Sequence, residues 1–557
     1  MADTKREIER KFEFPRSGGK RSGTTGDTDG GAGTTGDPGN TGNTGRAAKP
    51  GAGGKAAGHG KAARRAEPRA GARHELPDLT GTAAIAAVHD RGTDHLDAVY
   101  YDTPDQRLAA DGLTLRRRTG GEDSGWHLKL PVAPGVRDEI QAPLADTVPP
   151  ALAALVRSRV RDHRLEPQVR LRSERRTRDL LDADGTLLAQ LSTDTVHAER
   201  GGATADWTEV EVELADGTGP ALLDAVEQTF QKAGLKVSEA PSKLARALAE
   251  TGSGAPARPA PGPADGTAGA HVLAYLRRQV DTLISCDPAV RRDQPDSVHR
   301  MRVASRRLRS AFKTYRKILD REVTDPIGEE LRRLGTELGA DRDREVLHDH
   351  LREAVAGLPH PLLAGPVHKR LRTWNSTSRS ASRRRALAAL DDARYLTLLD
   401  TLEALLADPP LLPRAAKPAG KALPKAILRD YRRLARRVDR ALTLGPGQER
   451  DRALHEARKA AKRARYGAEA AEPALGKPAN KFAKAMEAVQ DVLGEHQDSV
   501  VTRNVLRDLA HQAHGAGEPS FTWGLLHGRE EARAERTEGD LPAVWARASR
   551  PKLRSSL

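Results

Sequence analysis

The chain is expected to be α+β, with a strand-rich N-terminal half joined to an all-helical C-terminal half. Three observations predict this. Charged and apolar residues alternate with period two in short runs up to Leu214, as in EIERKFEF and WTEVEVEL. Residues 252–269 are rich in Pro and Gly and read as a linker. Beyond it the apolar period becomes about 3.6, in long segments joined by short polar connections, which indicates antiparallel helical bundles.

A chain of 557 residues is too long for one core, and two domains with an insertion are expected. Lys+Arg 92 against Asp+Glu 77 leaves a net charge of +15, which attracts a polyanion. Aromatic residues are only 3%, too few for extensive base stacking, which counts against single-stranded nucleic acid. The single cysteine, Cys286, excludes an internal disulfide and a multi-cysteine zinc site, and it reads as a small buried hydrophobe. MADTKREIERK lacks the apolar stretch of a signal peptide, and nowhere do about 18 apolar residues run together. A cytoplasmic protein with no membrane partner is expected; its oligomeric state is left open.

The first strand sets the pattern. Alternation sends Glu7, Glu9 and Lys11 to one face and Ile8, Arg10 and Phe12 to the other. Two carboxylates beside an ammonium suit a hard cation such as Mg²⁺ or Mn²⁺ together with a phosphate. Residues 17–72 then turn Gly-, Thr- and Asp-rich, and later basic, a composition that cannot offset its chain entropy by burial, so a disordered insertion is expected. A short helix is expected over 76–88. Strands follow at 98–101, 113–118 and 126–130, separated by the Asp102-Thr103-Pro104-Asp105 turn and a glycine hairpin. Their alternation pairs Arg116 with Arg118 and His127 with Lys129. Next come 137–144, a helix over 150–161, and a long hairpin. Its arms, 169–181 and 187–196, carry Arg172, Arg176, Arg178 and Asp194. In 207–214 the valines share one face and Glu209, Glu211 and Glu213 the other. Such stacked charges repel by up to about 1 kcal/mol per close pair unless cations sit between them. An exposed edge strand is the alternative. Lys243 opens a helical tail and adds one more cation.

Taken in order, EIERK, YYDTPDQRL, LTLRRR, GWHLKL, WTEVEVEL and SKLARAL resemble the CYTH superfamily of triphosphate tunnel enzymes. The resemblance covers residues 5–250 less the insertion, within a first domain of 1–251. It implies an antiparallel β-barrel forming a tunnel, where acids bind divalent metal and a ring of Arg and Lys binds a triphosphate. Matched by motif, Glu7, Glu9, Glu209 and Glu211, with Asp194 as a further acid, are the implied metal ligands. Lys11, Arg116, Arg118, Lys129 and Lys243 are the implied phosphate ligands, with Arg176 chosen from the long hairpin. Glu9 is the candidate proton acceptor, and Lys11, Arg116, Arg118 and Lys129 the candidate catalytic cations.

Helices are expected at 270–283, 297–319, 327–338, 341–356, 367–406, 422–442, 448–471, 477–493, 497–511 and 520–536, in a domain of 270–540 followed by a tail of 541–557. Two of them carry matching polar stripes: His299, Arg302, Arg306 and Arg309 in one, and His455, Arg458, Lys459, Lys462, Arg465 and Tyr466 in the other. Like charges three and four apart disfavour a helix by a few tenths of a kcal/mol each, so such a stripe answers an anion. With LGADRD around Arg342 and Asp343, and LGEHQD around His496 and Asp498, these segments resemble the CHAD family over residues 270–535. That resemblance implies two four-helix bundles related by pseudo-twofold symmetry, with a basic groove for inorganic polyphosphate. It carries over both stripes, His496 and Arg342, with Asp343 and Asp498 orienting cations.

Together the two resemblances imply a metal-dependent hydrolase of tripolyphosphate or polyphosphate, whose helical half holds the chain that the barrel cuts. A non-catalytic polyphosphate sensor and an adenylate cyclase are the alternatives. The expected partner is polyphosphate or another triphosphate, with polyphosphate granules an expected place of association, and nucleic acid is disfavoured.

Overall fold

The computed structural model describes residues 3–15, 75–252, 266–339, 342–376 and 379–557; the insertion expected at 17–72 and most of the linker lie outside them. The strands are β1 (Asp3–Glu13), β2 (Ala87–Asp102), β3 (Thr114–Thr119), β4 (Gly125–Ala133), β5 (Val136–Ala142), β6 (Glu166–Leu181), β7 (Leu187–Arg200), β8 (Ala203–Leu214) and β9 (Lys236–Val237). The helices among them are α1 (Arg107–Ala110), α2 (Pro150–Val160), α3 (Ala221–Lys232) and α4 (Lys243–Glu250). Strand order is β5-β4-β3-β2-β6-β7-β8-β1-β9, and a further antiparallel pairing of β5 with β1 closes β1 to β8 into a barrel. β1 makes this closure by dividing its partners: residues 3–8 pair with β5 and residues 9–13 with β8.

The barrel has its apolar side outward. On β1, Phe12 meets Phe230 of α3 edge-on, ring centroids 4.8 Å apart. Trp126 and Leu128 of β4 pack on Leu152 and Val156 of α2. Part of the inner face is apolar as well: Leu171 of β6 and Trp207 of β8, which share faces with Arg175 and Glu211, pack on Leu244 and Ala247 of α4. Each such fully buried side chain stabilises by about 1.5–3 kcal/mol. Period-two alternation then leaves the rest of the inner face to the charged residues.

The second half comprises α5 (Ala268–Arg291), α6 (Ser297–Thr314), α7 (Arg321–Glu337), α8 (Arg342–Ala356), α9 (Val367–Ser376), α10 (Arg379–Asp391), α11 (Ala393–Ala407), α12 (Ala419–Thr443), α13 (Gln448–Leu475), α14 (Lys477–Gly515), α15 (Phe521–Ala548) and α16 (Pro551–Ser555). One apolar core, Cys286 included, runs through α5–α7 and α10–α15, and a smaller one joins α8 and α9 to α14 and α15. No helix among the described residues is long and apolar enough to cross a membrane.

Four expectations are corrected. Residues 76–88 are not helical: Pro77 and the left-handed turn at Gly81 (φ +83°) stop a helix, while Leu79 and Ile85 plug the core beneath α3. The helix expected over 367–406 is three, and Asp392 begins the last by accepting from the Arg394 N–H. The two expected at 477–493 and 497–511 are one, α14, because Gly494 serves a close contact rather than a break. Residues 541–557 are no tail, since Leu541 and Ala548 of α15 lie in the main core.

Candidate active site: an acid wall facing a base wall

The acids are concentrated on one side. β8, β1 and β5 turn Glu211, Glu213, Glu7, Glu9 and Glu139 inward, with Lys5, Lys11 and Arg137 among them, and β4, β3, β2 and β6 turn Lys129, Arg116, Arg118, Tyr100 and Arg175 inward. The two arcs face each other across a cavity of ≈ 570 Å³. Nine Lys and Arg side chains and eight carboxylates line it. The interior is therefore close to neutral by itself, and a multiply charged anion is favoured there when it brings cations with it.

Lys243, the first residue of α4, is one hub. Its Nζ lies 3.1 Å from Asp194, 2.7 Å from Glu209 and 2.6 Å from Glu211. Arg175 donates to both Asp194 oxygens at 2.8 and 2.9 Å and reaches Glu211 at 3.1 Å. Lys11 also pairs with Glu211 and stands 3.4 Å from Glu9. Burial alone would raise the Asp194 and Glu211 carboxyls, but these cations outweigh it and hold both below the usual carboxylate range. Glu9 is likewise held low, burial being outweighed by Lys11 and Lys129.

Lys129 is the other hub, 2.7 Å from Glu7 and 3.7 Å from Glu139. His127 reaches Glu139 through Nδ1 at 3.0 Å. Against the upward push of burial, His127, Lys129 and Arg116 keep Glu139 well below its ordinary range. Glu7 goes the opposite way: burial, with Glu139 beside it, lifts it to about 7 in spite of Lys129. On the facing wall, Arg116 donates to the Tyr100 hydroxyl at 3.3 Å. Burial and the charges of Arg116 and Arg175 lower Arg118 to about 10, against the pull of Asp123 at 3.2 Å.

Asp194, Glu209 and Glu211 each place an oxygen within 4.8 Å of the others. Glu209 is further oriented by the Trp207 indole N–H at 2.6 Å. All-oxygen donors suit Mg²⁺ or Mn²⁺, and the ammonium of Lys243 among them marks the position as one for positive charge. The residues fit the expected metal.

Every acid expected from the sequence, together with Lys11, Arg116, Arg118, Lys129 and Lys243, is thus gathered in or just behind one cavity. Arg176 is the exception. It faces outward and pairs with Asp90 across the β2–β6 ladder, while Arg175 is the inward arginine, opposite Asp194 in the β6–β7 register. A choice one residue off along a strand changes face. Glu139, Tyr100 and Arg175 were missed. Continuing the Lys129 face across the β4–β5 hairpin would have reached Glu139, its partner in register.

In the helical half, α6 and α13 pack together and their stripes converge. Arg302, Arg306 and Arg458 lie near enough to Lys462 that their charges, after its burial, lower the Lys462 amine to about 7, with Asp498 opposing. Among the described residues, Arg306, Arg309, Arg458 and Lys462 form no ion pair with a carboxylate. Two glycines make room: a Cβ at Gly339 would lie 2.5–2.8 Å from the Arg302 guanidinium, and one at Gly494 would lie 3.2 Å from that of Arg458. These are the glycines of the two LG motifs, in matching places of the two halves. Lys459 pairs with Glu456, and Arg465 with Glu469 and Glu487, so both are already neutralised. His299 is exposed at the start of its stripe, and His455 is partly buried beside Gln497. His496 is corrected: it is 2% exposed and its Nε2 faces Glu538 at 2.9 Å and Asp451 at 3.2 Å, a pin between helices where an anion would be repelled. The side chains of Arg342 and Asp343 lie outside the described residues.

Comparison with known proteins agrees with this division. The CYTH domain model matches residues 73–248 and the CHAD domain model residues 274–507. Two uncharacterized proteins of Mycobacterium tuberculosis, from strains CDC 1551 / Oshkosh and H37Rv, are each 38% identical over 491 residues, 84% of this chain and 92% of theirs. Similar solved structures include PptA from Streptomyces chartreusis (20% identity, 50% of this chain and 99% of that one, TM-score 0.42). Another is the CHAD domain from the plant Ricinus communis (27% identity, 51% and 92%, TM-score 0.40). A third is HpAC1 from Hippeastrum, a putative adenylyl cyclase with a dominant triphosphatase activity (18% identity, 30% and 88%, TM-score 0.20). With its strand-built tunnel and its paired helical stripes, the chain belongs to the CYTH family in its first half and to the CHAD family in its second.

Proposed function

We propose that the barrel is a metal-dependent triphosphatase acting on inorganic tripolyphosphate or another triphosphate, and that the helical half binds inorganic polyphosphate. The observation that carries this is the opposition of the acid-rich arc β8-β1-β5 to the basic arc β4-β3-β2-β6 inside a closed barrel. Arg116, Arg118, Arg175 and Lys129 neutralise and align a chain of phosphates. Asp194, Glu209 and Glu211, with Glu9 beside them, would hold a divalent cation, which would supply further positive charge to the phosphate oxygens. Water attacks the terminal phosphorus and the bridging P–O bond breaks, leaving orthophosphate and the shortened chain. Glu7, lifted to about 7, suits the proton of that water better than Glu9, which is held low.

The test is phosphate release from tripolyphosphate by the purified protein with Mg²⁺ or Mn²⁺. Glu9→Gln is expected to lower release by at least about 100-fold. Undiminished turnover by that variant refutes the site, and cyclic AMP formed from ATP replaces hydrolysis with cyclase chemistry. Tight polyphosphate binding without release under either metal makes the protein a sensor.

Polyphosphate binding carries a pH signature. A polyanion favours the charged form of Lys462, so the bound amine titrates above the free value of about 7. Affinity is then full below about pH 7 and falls as pH rises between the two values, by up to tenfold per unit. Calorimetry at about pH 6 and about pH 9 reads it, and equal affinities count against Lys462 as a ligand.

A further inference from the structure

The barrel is closed by the β1–β5 seam, and the helical half holds that seam from outside. Asp138 of β5 is opposite Arg6 of β1 in the ladder, and Arg6 Nε donates to its Oδ1 at 2.5 Å. The second carboxylate oxygen accepts from Arg292, just past α5, at 2.8 Å. Asp138 is only 4% exposed, and the two arginines, outweighing its burial, hold it below the usual carboxylate range. Alternation places Glu139 next to Asp138 on the inner face, and Glu7 next to Arg6. These two acids flank Lys129, and Glu139 is also the partner of His127 and Arg116.

The turn that carries Arg292 is itself fixed. Asp293 and Asp296 both adopt left-handed backbone, at φ 56° and 57°, a conformation that persists where the surroundings impose it. Arg383 of α10 braces this turn, pairing with Asp293 at 2.9 Å and donating to the Arg291 carbonyl at 3.1 Å. Gln294 of the same turn also reaches Asp138, at 3.4 Å. The turn then runs directly into α6.

We infer that Arg292 is a positioning residue for the tunnel, supplied by the helical half: through Asp138 it sets the seam that aims Glu7 and Glu139 at Lys129. This rests on the triphosphatase reading of the barrel. A displaced acid wall lowers turnover and weakens the metal requirement's saturation while leaving long-chain binding by the helices untouched. The full chain is assayed for tripolyphosphate hydrolysis against Mn²⁺ concentration, and a long polyphosphate is titrated calorimetrically. Arg292→Ala is expected to lower kcat about tenfold and to raise the Mn²⁺ concentration for half-maximal rate, with unchanged long-chain affinity. Arg292→Lys restores most of the rate, and Asp138→Asn repeats the loss. Arg157→Ala is the control, because Arg157 joins α2 to Asp391 across the same junction without touching a tunnel strand. Wild-type kinetics for Arg292→Ala, or an equal loss in Arg157→Ala, overturns the inference. A wild-type protein that neither binds nor hydrolyses tripolyphosphate overturns instead the triphosphatase reading beneath it.

Discussion

Lys243→Met is expected to destabilise the metal-free barrel by about 3–5 kcal/mol, and Mg²⁺ or Mn²⁺ to recover much of that loss. The buried ammonium stands among Asp194, Glu209 and Glu211, and methionine keeps its length without its charge. Arg175 and Lys11 then face three carboxylates alone. A divalent cation bound only by the folded barrel stabilises by mass action, and it gains most where the native counter-charge has been removed. Thermal unfolding of both proteins, with and without Mn²⁺, reads this directly. A larger metal-dependent rise in the variant supports the acidic trio as a cation site; equal rises in the two proteins sink it. Turnover falls in the same variant, because the lysine is lost to phosphate as well.

Arg458→Glu is expected to weaken long-chain polyphosphate binding by about 2–4 kcal/mol, roughly 30- to 1000-fold, and to leave tripolyphosphate hydrolysis in the tunnel unchanged. The substitution removes one cation and sets a carboxylate beside Lys462. Since the charge of Arg458 is among the causes that lower the Lys462 amine, the variant also moves that titration up and out of the neutral range. The pH dependence near neutrality should vanish along with the affinity. Gly494→Val displaces the same guanidinium without changing its charge, because even a Cβ would lie 3.2 Å from it. A loss of affinity there, with the pH dependence kept, separates geometry from charge. Unaltered polyphosphate binding by Arg458→Glu refutes the converging stripes as the binding surface.

Most of the tunnel could be read from the chain because a strand obeys one rule. Once Glu7, Glu9 and Lys11 share a face, the faces of Glu209, Glu211, Arg116, Arg118 and Lys129 follow from spacing. That rule fails where register matters. Arg175 and Arg176 are both plausible by composition, and only the ladder opposite Asp194 decides between them. Glu139 was passed over because Arg137, Asp138 and Glu139 put charge on both faces of β5, which hides the alternation. In the helical half, the stripes were plain from the 3.6 period, but His496 was misjudged. Its acidic neighbours Asp451 and Glu538 come from other helices, and no local spacing reveals them. Gly494 misled for a related reason: a helical glycine weakens a helix by about 1 kcal/mol, and here it is kept for a guanidinium from α13.

The divided pairing of β1 has a kinetic side. Residues 3–13 find their partners at 136–141 and 209–213, so β1 leaves the ribosome well before either partner and is placed only after both. Contacts this distant in sequence slow folding, whereas the long helices of the second half form from near neighbours. The catalytic cage is consequently assembled late, and a ribosome that stops before Leu214 releases a chain with its acids unsheltered.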